Sequence, residues 1–199
     1  MPSLLGVADA GPPFAPAVAA TVAEAIGELE TGRAVVLVAH SNAGLFVPAI
    51  VEASPRPVAG CLFVDAALPS PDGPTPVAPA ELLDFLRPKV TGGRLPQWTD
   101  WWDDSDIAPM FPDAQTRAAV SAEQPRLPLS YYEATVRSPA GWDDRPCGYL
   151  LFGPPYEPVA DEAARRGWSV EHVPGLHLHQ LVDPESVTAR ILTMTAGWR

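Results

Sequence analysis

The amino-acid sequence predicts an α/β fold in which a mostly parallel sheet is flanked by helices. Short, mostly apolar segments alternate with longer segments of helical composition. This alternation is typical of a parallel sheet, because a crossover between parallel strands needs a connection of helical length. The four predicted strands are 34–39, 59–64, 148–152 and 168–173.

The helices are predicted between and after these strands. Ala15 to Glu30 is rich in Ala, Val and Glu, and Pro158 to Gly167 begins with proline and ends with arginine and glycine, the usual asymmetry of helix ends. Leu45 to Ala53 is a third helix. Pro48 lies past its first turn and removes a backbone hydrogen bond, which predicts a kink or a late helix start. Pro184 to Gly197 is predicted to form the terminal helix.

The composition favours one folded domain over residues 1–199 with a small-molecule substrate. The chain has 13 Lys and Arg against 24 Asp and Glu, a net charge of −11. Such an acidic chain is unsuited to nucleic acid or an anionic membrane surface. No apolar run reaches the roughly 18 residues that a membrane span needs, and the N-terminus lacks the layout of a signal peptide, so we expect a cytoplasmic protein.

The two cysteines, Cys61 and Cys147, are far apart in the sequence and form no CxxC pair. Neither a disulfide framework nor a cysteine zinc site is therefore predicted.

Residues 69–146 interrupt the alternation of strands and helices. They are dense in proline, aspartate and tryptophan, with helical segments near 79–90 and 113–124. We interpret this segment as an insertion between two strands rather than as a separate domain.

Ser41 is the candidate nucleophile because it follows a buried strand and precedes a helix. This layout is typical of a nucleophile elbow, a strained turn that needs small residues two positions before and after the serine. Ala39 and Ala43 satisfy that requirement. The N–H of Asn42 would then be an oxyanion donor, while its side chain could contact substrate or hold the turn. The alternative is that Ser41 only caps the helix.

Three segments resemble the α/β-hydrolase family: Val35 to Gly44 (VVLVAHSNAG), Leu62 to Asp65 (LFVD) and Gly175 to His179 (GLHLH). The resemblance covers nearly the whole chain except the insertion, which falls where that family carries its lid. It implies an α/β-hydrolase-like fold and a Ser-His-acid mechanism, with the serine first and the histidine last in the chain. We expect no cofactor and no metal.

His177 is the predicted base, since it follows Pro174-Gly175 in the loop after the last strand, where the resemblance places the catalytic histidine. His179 is the second choice. His40 precedes the serine, so packing is its expected role, and His172 is interpreted as a core or surface residue within a strand.

Three carboxylates are candidates for the acid. Asp65 ends an apolar strand beside the nucleophile strand, where an unpaired carboxylate would be costly. Glu157 lies in the loop after the strand 148–152, the more usual place for the acid in the family that the chain resembles. Asp161 lies one helical turn further on. The choice stays open between Asp65, which we favour slightly, and Glu157; both Glu157 and Asp161 could instead stabilise a helix N-terminus.

The aromatic residues of the insertion have two possible roles. Trp98, Trp101 and Trp102 could line an apolar substrate pocket or fill a core within the lid. Tyr131 and Tyr132 carry the same alternatives. Four carboxylates of the same segment are expected to face water: Asp100, Asp103, Asp104 and Asp106.

The resemblance also implies that an intact family member carries further strands and an oxyanion loop before this material. Residues 2–7 look like the end of the family's fourth strand, so we expect an N-terminally short form, either natural or with a start assigned downstream of the true one. The second oxyanion donor would then come from Asn42 or from the loop 6–11. The strand edge at 35–38 would pair with residues 4–7 or with another subunit, which makes a homodimer plausible.

The sequence thus favours a serine hydrolase of an ester or related acyl compound with an apolar portion. One alternative is a non-hydrolytic cyclase, lyase or isomerase that uses the histidine and carboxylate in the same pocket. A second is a binding relative without catalysis. The third is a metal site on four residues: His172, His177, His179 and Asp183.

Overall fold

In the part of the chain that the structure describes, the central sheet has four parallel strands. The computed structural model describes residues 2–29, 32–71 and 73–198. The strands are β1 (Val35–Ser41), β2 (Val58–Ala66), β3 (Thr75–Pro76), β4 (Thr135–Val136), β5 (Cys147–Leu151) and β6 (Ser169–His172). The central sheet has the order β1-β2-β5-β6, and β3 and β4 form a separate antiparallel pair. The predicted α/β fold class is confirmed.

The helices lie between the strands as predicted. They are α1 (Phe14–Gly27), α2 (Val47–Ala53), α3 (Ala80–Leu86), α4 (Asp104–Ile107), α5 (Ala114–Glu123), α6 (Leu129–Tyr132), α7 (Glu157–Arg165), α8 (His179–Val182) and α9 (Pro184–Thr195). Short 3-10 helices occupy Leu5–Asp9, Asn42–Phe46, Arg87–Lys89, Trp98–Asp100, Ala108–Met110 and Pro154–Tyr156. The predicted end of the first helix at Glu30 lies outside the described residues. In the part of the chain that is described, no helix is both long and apolar enough to cross a membrane.

Both faces of β2 are buried, which explains its continuous apolar sequence. Phe63 and its same-face neighbours pack with Ala160 and Ala163 of α7. Leu62 and Val64 face the other way and pack with Val187 of α9. The sheet is therefore covered by helices on both sides, and its carboxyl edge remains for the loops that carry the site.

Pro48 delays the start of α2, as predicted. The 3-10 helix Asn42–Phe46 follows β1, and α2 begins at Val47 with Pro48 as its second residue. Proline is tolerated there because the first N–H groups of a helix have no partner within it.

The expectation that residues 2–7 form the end of a strand is wrong. Leu5–Asp9 is a 3-10 helix, with Val7 and the adjacent Ala8 buried. The N–H of Val7 donates to the carbonyl of Leu4 at 3.0 Å, three residues back, which is the hydrogen bond of a 3-10 turn and not of a strand. Within the described residues β1 pairs only with β2, and Val38 on this strand is 48% exposed. Pairing of this edge with a second copy stays a prediction.

The insertion 69–146 runs from the end of β2 to the start of β5 and carries β3, β4 and α3 to α6. Its helical segments occur close to the expected places, and the Asp113 side chain caps α5 by accepting a hydrogen bond from the N–H of Thr116. Buried residues of the insertion share one apolar cluster with α1 and α2, among them Leu86, Leu95 and Trp101.

Candidate active site

Ser41 is at the end of β1 in a strained backbone conformation. Its φ is 58° and its ψ is −136°, which is rare for a residue with a side chain. The turn is packed tightly: a Cβ at Gly44 would lie 2.1 Å from the carbonyl oxygen of Ala67, whose N–H donates to the carbonyl of Ser41 at 3.0 Å. This geometry is that of a nucleophile elbow, in which a strand ends sharply and a helix begins.

His177 lies beside the Ser41 hydroxyl, although 136 residues separate the two in the sequence. The distance from His177 Nε2 to Ser41 Oγ is 2.9 Å. The loop that carries His177 is fixed to the end of β5, because the N–H of Gly175 donates to the carbonyl of Phe152 at 2.9 Å. The predicted serine and histidine are thus brought within hydrogen-bond distance.

Asp65 completes this arrangement on the other side of the imidazole. Its Oδ2 lies 2.7 Å from His177 Nδ1, and its Oδ1 accepts a hydrogen bond from the N–H of Phe152 at 3.0 Å. The carboxylate is buried, with the whole residue 1% exposed. Burying a charge is costly unless it is paired, and both oxygens have partners here.

A β-bulge positions Asp65. His40 pairs with Val64 and Ser41 pairs with Ala66, so Asp65 is the extra residue between two registers. Its φ is +42°. The bulge takes Asp65 out of the strand's alternation and turns its side chain towards the site, which is a common use of bulges beside active sites.

Glu157 and Asp161, the other predicted acids, are exposed residues of α7. The Nδ1 atom of His177 bonds to Asp65. Of the two main candidates for the acid, the structure brings Asp65 and not Glu157 into contact with the imidazole.

Tyr149 fixes the residue that follows Asp65. The phenol donates to the carbonyl of Ala66 at 2.9 Å and accepts from the N–H of Ala66 at 3.0 Å. Tyr149 is fully buried in β5, and burial raises the pKa of its phenol above the usual range. No local pattern in the sequence indicates this contact, because Tyr149 and Ala66 lie on different strands.

His40 packs on His177, with ring centroids 4.6 Å apart, and its Nε2 lies 2.8 Å from the carbonyl oxygen of His177. A carbonyl oxygen can only accept, so Nε2 of His40 carries the hydrogen. Burial, and secondarily the neighbouring His177, lower the pKa of His40 to about 4. His40 packs as predicted, and it also holds the backbone of the candidate base.

Tyr156 stacks on the imidazole of His177. Its ring is nearly parallel to that of His177, with centroids 5.0 Å apart and an interplanar angle of 6°. The sequence analysis missed Tyr156, although its place in the loop directly after β5, at the carboxyl edge of the sheet, is a signal that could have found it.

Asn42 connects the elbow to the insertion. Its Nδ2 donates to the carbonyl of Val77 at 3.0 Å, and its Oδ1 accepts from the phenol of Tyr131 at 3.0 Å. Of the two readings of the Asn42 side chain, these contacts fit the one in which it holds the turn.

The three tryptophans have different surroundings. Trp98 is near the site, with its ring centroid 6.2 Å from that of His177. Trp101 is buried in the core of the insertion and donates to the carbonyl of Pro96, whereas Trp102 is 40% exposed and stacks on Phe85. Trp101 and Trp102 pack against other residues of the insertion, and a role for them in lining a substrate pocket stays a prediction. The four aspartates expected to face water are exposed.

The metal hypothesis finds no support. Among the described residues, no group of three or more His, Cys, Asp and Glu side chains is arranged to hold a metal ion. His172 bonds to the carbonyl of Phe152, Asp183 caps α9, and His179 packs against Phe152. Each of these three side chains is thus occupied by a hydrogen bond, a ring contact or a helix cap.

A model of the alpha/beta hydrolase family matches residues 1–190. No curated protein matches the chain significantly in a sequence comparison.

Solved structures of several alpha/beta hydrolases resemble this one. An extracellular alpha/beta-hydrolase from a Paenibacillus species has a TM-score of 0.67 and 16% identity, over 89% of this chain and 78% of that one. A methylesterase from Arabidopsis has a TM-score of 0.63 and 11% identity, over 92% and 78%. Methylketone synthase I from tomato has a TM-score of 0.64 and 10% identity, over 94% and 83%. At these identities the likeness concerns the fold.

Proposed function

The chain belongs to the alpha/beta hydrolase family, and from this premise we propose that it is a serine hydrolase of an ester or a related acyl compound. The observation that carries the proposal is the unbroken series of hydrogen bonds from Ser41 through His177 to Asp65. A serine hydroxyl is a weak nucleophile until a neighbouring base takes its proton, and this series supplies the base and its orienting acid.

Asp65 sets the tautomer of the imidazole. A carboxylate accepts from Nδ1–H, so the lone pair of Nε2 faces the hydroxyl of Ser41. As Ser41 Oγ attacks the carbonyl carbon, its proton moves to Nε2. The buried negative charge of Asp65 stabilises the imidazolium that forms.

The tetrahedral intermediate then collapses. His177 gives its proton to the leaving alkoxide, an alcohol departs, and the acyl group stays on Ser41. A water that His177 deprotonates attacks this acyl-enzyme by the same route, releasing the acid and restoring the hydroxyl. The N–H of Asn42, the first residue after the elbow, would donate to the oxyanion in both halves of the reaction.

An apolar portion in the substrate is supported by the aromatic rings around His177. Tyr156 stacks on the imidazole, and Trp98 lies 6.2 Å away between centroids. Both rings are partly exposed, so an apolar group could bury surface against them. The insertion 69–146 would act as a lid over this side of the site, since Val77 and Tyr131 hold Asn42.

The proposal is tested by steady-state hydrolysis of p-nitrophenyl butyrate. Wild type should turn over, and Ser41→Ala should lose at least about 10³-fold in kcat, because the nucleophile is removed. Ser105→Ala, at an exposed position of α4, is the matched control and should keep wild-type kcat. Equal turnover by Ser41→Ala and wild type would contradict the serine mechanism and favour a non-hydrolytic or acid–base reaction.

A further inference from the structure

Tyr156 is held firmly at the carboxyl edge of the sheet. It ends the 3-10 helix Pro154–Tyr156, and its N–H donates to the carbonyl of Gly153 at 3.1 Å. Two prolines precede it, which restricts the backbone. A Cβ at Gly153 would lie 2.7 Å from the carbonyl oxygen of Gly175, so this loop packs directly on the loop that carries His177. The stacked ring is therefore part of a tight loop pair.

The Tyr156 ring stacks on the imidazole whose Nε2 contacts Ser41 Oγ, which brings the phenol into the surroundings of that hydroxyl. Burial raises the pKa of Tyr156, and this effect exceeds the lowering by Ser41. The phenol therefore stays protonated at neutral pH, and its O–H is a donor beside the reacting oxygen.

The Asn42 side chain has other partners. Its amide donates to Val77 and its oxygen accepts from Tyr131, so both ends of the group are turned to the insertion. The backbone N–H of Asn42 supplies one donor for an oxyanion. Oxyanion holes are built from two or more such donors, aimed at the place where charge develops.

We infer that the hydroxyl of Tyr156 is a second oxyanion donor and thus a catalytic residue of the proposed serine hydrolase. The inference rests on that proposed function. The parallel stack holds the Tyr156 ring beside the imidazole whose Nε2 lies 2.9 Å from Ser41 Oγ, which keeps the phenol beside the reacting pair.

The step balances without any further reactant. A bond forms between Ser41 Oγ and the carbonyl carbon, and the π pair of the carbonyl moves onto its oxygen. The Ser41 proton goes to Nε2 of His177. Tyr156 donates a hydrogen bond to the new oxyanion and keeps its proton, so no net charge is transferred to the phenol.

The test compares Tyr156→Phe with wild type. Phenylalanine keeps the ring and its stack on His177 but lacks the donor. For p-nitrophenyl butyrate, kcat should fall by about 10²-fold while KM changes by less than about threefold, because the interaction exists only in the transition state. Affinity for an alkyl trifluoromethyl ketone, which adds to the serine as an anionic hemiketal, should fall in parallel with kcat. The control Ser105→Ala, at an exposed position of α4, should match wild type in both measurements.

Two outcomes would overturn this inference alone. In the first, Tyr156→Phe keeps wild-type kcat and ketone affinity, which makes the residue a packing partner of His177. In the second, kcat falls but ketone affinity does not, which shows that the phenol acts on the free enzyme and not on the oxyanion. A wild type that neither hydrolyses the ester nor binds the ketone would overturn the proposed function as well.

Discussion

His40 and His177 lie ring against ring, and the Nε2–H of His40 donates to the backbone carbonyl of His177 across 2.8 Å. The residue that precedes the candidate nucleophile thus holds the main chain of the candidate base. Protonation of His40 is therefore expected to affect His177 directly, because the two residues are in contact.

Acid should destabilise the protein through His40. Its pKa is about 4 in the folded state and 6.5 in the unfolded chain, so the unfolded state binds more protons between these values. Stability is therefore greatest above about pH 6.5 and is lost as the pH falls towards 4, by up to about 3 kcal/mol. Urea unfolding of wild type and His40→Gln between these pH values measures the difference. Equal pH slopes for the two proteins would exclude His40 as the source.

Asp65, and not Glu157, should be the acid that orients His177. Asp65→Asn loses the buried charge that stabilises the imidazolium and favours the wrong tautomer, so kcat for p-nitrophenyl butyrate should fall by about 10³–10⁴-fold. Glu157→Gln, at an exposed position of α7, is the matched control and should keep wild-type kcat. The reverse ranking of the two variants would assign the acid to Glu157.

Tyr149→Phe should destabilise the fold and impair catalysis together. The phenol satisfies both the N–H and the carbonyl of Ala66, next to Asp65. Removing it leaves two buried backbone groups without this partner, at a cost of about 1–3 kcal/mol in the free energy of unfolding. Denaturant unfolding measures this cost. A lower kcat in the folded variant would show that Asp65, the neighbour of Ala66, is no longer held in position. A Tyr149→Phe protein with wild-type stability would contradict this role.

Gly44→Ala should be among the most damaging small substitutions in the chain. The added methyl would lie 2.1 Å from the carbonyl oxygen of Ala67, and backbone has to move to accommodate it. We expect a loss of about 2 kcal/mol or more in the free energy of unfolding, or failure to fold. Gly6→Ala is the control for stability, because a Cβ there meets nothing within 4 Å. Similar melting temperatures for both variants would show that the elbow is looser than described.

The parts of the fold that could be predicted are those with a local signal. β2 is buried along its whole length, and β1 pairs with it although only Ala39 of β1 is buried, so both apolar runs stand out in the sequence. Residues 2–7 are expected to end a strand, but a 3-10 helix begins at Leu5, because a short apolar run does not distinguish a strand from a helical turn.

The site shows the same limit. Ser41 and His177 could be named because each follows a recognisable strand, whereas the choice of Asp65 over Glu157 depends on a bulge that the sequence does not reveal. Tyr156 contacts His177 through a ring stack between two loops. The sequence also does not show that Trp98, and not Trp101, lies near His177. Contacts of this kind depend on loop packing, for which the sequence holds no periodic pattern.

The identity of the nucleophile is tested most directly by the mass of the peptide that a fluorophosphonate probe modifies. Wild type, treated with the probe and digested, should carry one adduct on the peptide that contains Ser41, and Ser41→Ala should carry none. An adduct on another serine, or equal labelling of Ser41→Ala and wild type, would contradict the account.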